Sequence, residues 1–265
     1  MYGEHSDLII AAARGLATAV LAVVTLLIAY IFVLRVRALR RDRRREAFLR
    51  RWRPLIERSL NNRDLWIAAP PRADRMTFLV LWNEIYAANA AATSRARLRQ
   101  LLGMTDMDEV ARRLLRRGGL RARLVAAITL GQLGDEGSWD RLYRYAQSGH
   151  PFLALVSAHA LMLIDPERAI QPVLEWAAQR EDWPPANIAA IMREADASVV
   201  SAAIASAVTR SGGRARQRLL PFLEACLPEF ALPVARACLA EMDDDHVIGP
   251  CLRVIGRLRS VQDRD

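Results

Sequence analysis

The chain contains no lysine; all 38 of its strongly basic side chains are arginine. Together with the abundance of alanine, this is the pattern of GC-rich coding, so no single arginine can be argued to be there for its bidentate geometry. Cysteine is scarce. Cys226, Cys238 and Cys251 form no CxxC, and their odd number leaves one thiol without an internal partner. They read as small buried hydrophobes in a reducing compartment, not as a disulfide framework. Of the four histidines (His5, His150, His159 and His246), none stands in HExxH or another metal-ligand spacing. His150 precedes Pro151 in a turn, and His159 reads as a mid-helix packing residue. A glycine-rich phosphate loop, GxSxG and a Cys–His arrangement are all missing, and Gly118-Gly119 and Gly212-Gly213 are turns. No catalytic, cofactor-binding or metal-binding residue is therefore expected, and no cofactor. No segment alternates as a strand requires.

What is present begins with residues 15–34, GLATAVLAVVTLLIAYIFVL, twenty residues without a charge. As a helix they would span roughly 30 Å, the thickness of a bilayer core. The segment after it, residues 35–53, holds ten arginines against Asp42 and Glu46, a net of +8. A cleaved signal peptide would carry its positive charge before the apolar run, so an uncleaved anchor is expected. Arginine collects on the cytoplasmic side, which places the short N-terminus outside and the chain from residue 35 inside a bacterial inner membrane. Residues 35–60 are expected to continue as a helix, with Leu39, Phe48, Trp52 and Ile56 on one stripe. Two readings stand for this helix. It is either a plain stop-transfer flank or an interfacial helix. In the second, Arg35, Arg37, Arg40, Arg41, Arg43, Arg44, Arg45 and Trp52 would contact anionic headgroups. Pro54 marks a bend or a new helix start.

The formal charge of +9 suggests nucleic acid until it is distributed. Residues 1–34 carry −1 and residues 35–53 carry +8, leaving only +2 for the remainder. The basicity is local to the membrane flank and is not a field over the domain.

Residues 61–75, with Asn61-Asn62 and Pro70-Pro71, read as a linker. Beyond it almost every segment reads as an amphipathic helix of ten to fifteen residues, bounded by Gly, Pro or Asp, among them Met107–Arg117, Leu120–Leu133, Phe152–Ile164, Pro185–Glu194 and Ala197–Arg210. The expected fold is all-α: a single transmembrane helix, then an α-solenoid of stacked helical hairpins. Residues 76–119 would form a divergent helical cap and residues 120–260 the repeats. An internal period supports this. Leu133 and Asp135 match Leu163 and Asp165 at a shift of thirty, and Asp196 follows after thirty-one more. Ala126, Ala127, Ala158, Ala160, Ala189 and Ala190 would let first helices approach closely, and the Asp of each turn could cap the second helix. Arg214–Leu227 falls between two pairs with no assigned partner.

The stretch Ala126-Ala127, Leu130-Gly131-Gln132-Leu133-Gly134-Asp135 resembles the signature of HEAT repeats, in the short bacterial form related to the phycobilisome-lyase repeat. The resemblance implies a right-handed α-solenoid that binds a protein partner more often than it catalyses. Lyase activity itself is disfavoured, since those relatives are soluble and this chain reads as anchored. Anchored HEAT-repeat proteins of this layout are similar to accessory proteins of membrane glycosyltransferases in exopolysaccharide systems, which names a partner class.

Three charged stretches remain. Asp243-Asp244-Asp245-His246 reads either as an N-capping turn or as a cation site for a metal-dependent enzyme. Residues 95–123 carry a net +6, including Arg112, Arg113, Arg116, Arg117, Arg121 and Arg123. They read as solvated helix faces or as a surface for lipid or an acidic partner. Residues 224–245 carry a net −5. The leading function is a membrane-anchored scaffold. Nucleic-acid binding through the basic stretch is the alternative, opposed by the near-neutral domain total.

Overall fold

The computed structural model describes residues 42–60, 67–241, 248–249 and 251–256. The apolar run over 15–34, Arg35, Arg37, Leu39, Arg40, Arg41 and the Asp243–His246 cluster lie outside the described residues. Among those described, every regular element is helical, and no helix is long and apolar enough to cross a membrane. The chain divides into two compact units, residues 1–58 and 59–265.

The described part of the first unit lies in helix α1, which runs over 42–60. Pro54 sits inside it, so it neither ends one helix nor starts another. Phe48, Trp52 and Ile56 recur at intervals of four and are buried, and the rings of Phe48 and Trp52 stack at 5.2 Å. Trp52 thus shares one apolar stripe with Phe48 and Ile56, its ring stacked on that of Phe48. Arg43, Arg44 and Arg45 lie on the exposed faces.

The second unit opens with a 3-10 turn at Arg72–Asp74, then α2 (Arg75–Ala88), α3 (Ala92–Met104), α4 (Met107–Arg117) and α5 (Leu120–Leu133). A second 3-10 turn, Glu136–Ser138, leads to α6 (Trp139–Ala146), α7 (Pro151–Ile164), α8 (Pro166–Gln179), α9 (Pro185–Met192) and α10 (Ala197–Arg210). After these come α11 (Gly213–Leu219), a 3-10 turn at Leu220–Ala225, and α12 (Pro228–Glu241).

The breaks have local causes. Helix α5 ends because Gly134 takes a left-handed conformation (φ 75°), which lets the Asp135 N–H reach back to the Leu130 carbonyl at 3.0 Å. Helices α7 and α8 each start with proline in the first turn behind a capping side chain. His150 Nδ1 accepts from the Leu153 N–H at 3.4 Å, and Asp165 Oδ1 accepts from the Arg168 N–H at 3.1 Å. The Asp196 carboxylate accepts from the N–H groups of Ser198 and Val199 and so caps α10. The Ser198 hydroxyl first, and then these backbone bonds, hold its pKa below the ordinary carboxylate value. The single helix expected over Arg214–Leu227 is instead two pieces. Pro221 has no N–H to continue the α ladder, and the chain tightens into a 3-10 turn there. Helix α11 packs on α8 and α10.

The helices form two layers. In one, α2, α5, α7 and α9 follow one another; in the other, α8 is followed by α10 and α11. Helices α4, α6 and α8 are tied together by side chains: Tyr145 Oη donates to the Leu115 carbonyl at 2.9 Å, and Tyr143 meets Trp176 edge-on at 5.1 Å. Between α2 and α5, Thr129 Oγ1 donates to Asn83 Oδ1 at 3.0 Å, satisfying a buried hydroxyl across the layer. The closest approach is at α5 and α7. Gly131 lies against Ala160, where an added Cβ would stand 2.7 Å from the Ala160 Cα.

Candidate interaction surface

The fold engages three of the six arginines of the predicted surface, Arg112, Arg116 and Arg123. Arg112 donates through Nε and Nη2 to Asp135 Oδ1, at 3.2 and 3.0 Å, and also pairs with Asp108 and Glu109. The Asp135 hydrogen bond, the largest influence on it, raises the Arg112 pKa above its ordinary value. Asp135 is therefore not the helix cap that the repeat pattern suggests. The intervening 3-10 turn moves the start of α6 to Trp139, and the carboxylate grips Arg112 and the Ser138 hydroxyl, the latter at 2.5 Å. Asp165 and Asp196 do cap their helices. Arg116 bonds to Glu109 at 3.1 Å, which depresses the Glu109 pKa. Arg123 lies over the Tyr145 ring at 5.4 Å. Arg113, Arg117 and Arg121 remain exposed and form no ion pair among the described residues.

The other repeat-signature residues have packing roles. Ala127 and Leu130 are fully buried, Gly131 makes the close crossing, and Gly134 supplies the left-handed turn. Leu133 and Leu163 are half-buried. Cys226, Cys238 and Cys251 are buried and in no disulfide among the described residues, and burial pushes the Cys226 and Cys251 thiols up to about 11.

The layer that closes tightly between α5 and α7 opens between α7 and α9. Helix α9 has eight residues, whereas α5 and α7 have fourteen each. Pro184 and Pro185 prevent its extension at one end. At the other, the chain turns at Arg193 to reach the Asp196 cap, two residues earlier than the helix expected to end at Glu194. The preceding loop is firmly anchored: Trp183 is fully buried, and the Arg180 guanidinium lies over its ring at 5.2 Å. Arg180 also donates to both carboxylate oxygens of Asp182, at 3.0 and 2.7 Å, and to the Ser148 carbonyl at 2.7 Å.

A short helix between long neighbours leaves apolar surface uncovered. A groove of about 360 Å³ lies between Leu155, Val156 and His159 on α7 and Ala190, Ile191 and Glu194 at α9. His159 Nε2 stands 3.3 Å from Glu194 Oε1 across it, so His159 is a half-exposed rim residue and not the packed one expected from its mid-helix position. Phe152, one turn before Leu155, is 70% exposed and prolongs the stripe. A second cavity of about 280 Å³ lies on the far side of α9, floored by Met192, Ile204 and Phe222. At the end of the groove a hollow of about 410 Å³ is rimmed by Glu136, Asp165, Glu167, Glu194 and Asp196.

Sequence reasoning missed this surface because α7 is apolar nearly all round. Its excess of apolar residues over what one buried face needs is the signal that could have revealed it. Among the described residues no cluster of three or more His, Cys, Asp or Glu could hold a metal ion. No protein-family model, curated protein sequence or solved structure matches the chain.

Proposed function

We propose that the chain is a non-enzymatic scaffold of the bacterial inner membrane. In this reading the span over 15–34 anchors it with its N-terminus outside, and a HEAT-like solenoid on the cytoplasmic side binds a protein partner. The observation that carries the reading is the two-layered succession of helices whose apolar surface is left open beside α9. Grooves walled by helices take up other polypeptides, and anchoring raises the local concentration of whatever is held. The resemblance to HEAT-type accessory proteins points to membrane glycosyltransferase machinery of exopolysaccharide systems as the partner class. Exposed Arg113, Arg117 and Arg121 would seat the helical unit against anionic headgroups.

The test is a crosslinking pull-down from native membranes, compared with an anchor lacking residues 76–265. Proteins recovered only with the full chain are the expected result, and identical recoveries would sink the proposal. Protease added to intact spheroplasts should leave the helical unit undigested; digestion would reverse the topology.

A further inference from the structure

The α7–α9 groove and the acidic hollow adjoin at Glu194, which lines both. The groove walls are helical stripes: Phe152, Leu155, Val156 and His159 on one side, Ala190, Ile191 and Glu194 on the other. The first follows the i, i+3, i+4, i+7 spacing, and so does the second once Asn187 is counted, with Glu194 in the turn just past α9. Backbone N–H and C=O groups within the walls are bonded inside α7 and α9, so an extended strand laid here would find no ladder partner. An occupant must satisfy its own backbone, which a helix does.

The hollow sets the charge of that helix. Asp165 and Asp196 are engaged in capping α8 and α10. Glu136 and Glu167 are exposed and form no ion pair among the described residues, and Glu194 faces only His159. Arg193 is the one arginine lining the groove, and none lines the hollow. An incoming cationic side chain would meet uncompensated carboxylates, and an anionic one would be repelled.

Resting on the scaffold reading, we infer that the α7–α9 groove docks an amphipathic helix of the partner protein. That helix carries apolar residues at i, i+3 or i+4, and i+7, and arginine or lysine at the end that meets the hollow. Val156 and Ala190 lie at the centre of the contact. Glu136, Glu167 and Glu194 receive the basic end.

The experiment places the photocrosslinking residue p-benzoylphenylalanine at Val156, at Ala190 or, as a control on another helix, at Arg144, in the full chain in its native cells. Crosslinked segments are then mapped by mass spectrometry. The expected result is one segment at Val156 and Ala190 with amphipathic helical spacing and basic residues at one end. Crosslinking from Val156 should fall at least tenfold with Ala190→Trp, which fills the groove. It should fall about fivefold with Glu136→Gln, Glu167→Gln and Glu194→Gln combined. If Ala190→Trp does not fold, Val156→Glu with the photocrosslinker at Ala190 takes its place. A lipid, a small molecule, or an acidic or non-amphipathic segment at these positions would overturn the proposal, as would indifference to the substitutions. Protein crosslinks at Arg144 but none at Val156 or Ala190 would overturn it while leaving the scaffold reading intact. No protein crosslink at any position would remove both.

Discussion

Replacing Gly131 with alanine probes the crossing on which the α5–α7 layer depends. A methyl group there would lie 2.7 Å from the Ala160 Cα, 2.8 Å from its Cβ and 3.3 Å from its carbonyl oxygen. Carbon atoms pack at about 3.5–4.0 Å, so the helices must separate by close to an ångström. The obstacle is backbone, and no side chain can rotate out of the way. Overpacking of this kind costs up to about 3 kcal/mol, against about 1 kcal/mol gained when alanine replaces glycine inside a helix. The net loss is about 2 kcal/mol, or about 4–8 °C in Tm for a unit of this size. Gly103 provides the contrast. It lies within α3 with nothing within 4 Å of an added Cβ, so Gly103→Ala should gain about 0.5–1 kcal/mol from propensity alone. Urea unfolding of the purified chain, read as a midpoint shift at constant slope, measures both. Combining Gly131→Ala with Ala160→Gly should recover only part of the loss, because the Ala160 Cα and carbonyl remain in place. If Gly131→Ala stabilises as Gly103→Ala does, the crossing is not the tight contact described.

Two tryptophans should respond unequally to phenylalanine. Trp82 Nε1 donates to the Leu98 carbonyl at 2.9 Å, whereas buried Trp183 Nε1 finds no acceptor among the described residues. Trp82→Phe should cost about 1–3 kcal/mol and Trp183→Phe less than about 1, compared by thermal unfolding. The Asp196 cap gives an acid-side prediction. A carboxyl whose folded pKa is depressed stabilises above its unfolded value near 3.8 and loses that contribution as pH falls. The Tm deficit of Asp196→Ala at pH 7 should therefore shrink towards zero by pH 2–3. The buried thiols act at the other end. Cys226, raised from 9.0 to about 11, keeps its proton in the folded state while the unfolded state ionises. Its contribution is complete below pH 9 and is lost as pH rises through 11, up to about 2–3 kcal/mol. Cys226→Ala should show a shallower decline than the parent over that window; parallel curves would refute it. Arg112→Leu strands the Asp135 carboxylate, whose side chain is 9% exposed, and should cost about 2–3 kcal/mol. Arg113→Leu, at an exposed site without an ion pair, should change Tm by less than about 2 °C.

The helices themselves were legible in the sequence. Met107–Arg117, Leu120–Leu133 and Ala197–Arg210 have the limits that periodicity and breakers predict, because caps, prolines and a left-handed glycine act within a few residues of where they stand. Where a local rule was overlooked the reading failed, as at Pro221, which divides the stretch expected to be one helix. Asp135 shows the next level. In sequence it is equivalent to Asp165, yet a 3-10 turn displaces the helix it would cap, and Arg112, twenty-three residues earlier, claims its carboxylate instead. The groove belongs to a third level. The sequence reads α7 from Phe152 to Ile164 as a largely apolar helix, and nothing local says which side will be covered.

By itself, then, the sequence determined where helices form, where they stop, and that the domain beyond the basic flank is close to neutral. Those are matters of backbone conformation, capping and summed charge. Only the tertiary structure decided which arginines are consumed by carboxylates and which apolar face is left open. Both depend on neighbours distant in the chain, above all on α9 being six residues shorter than the helix it lies against.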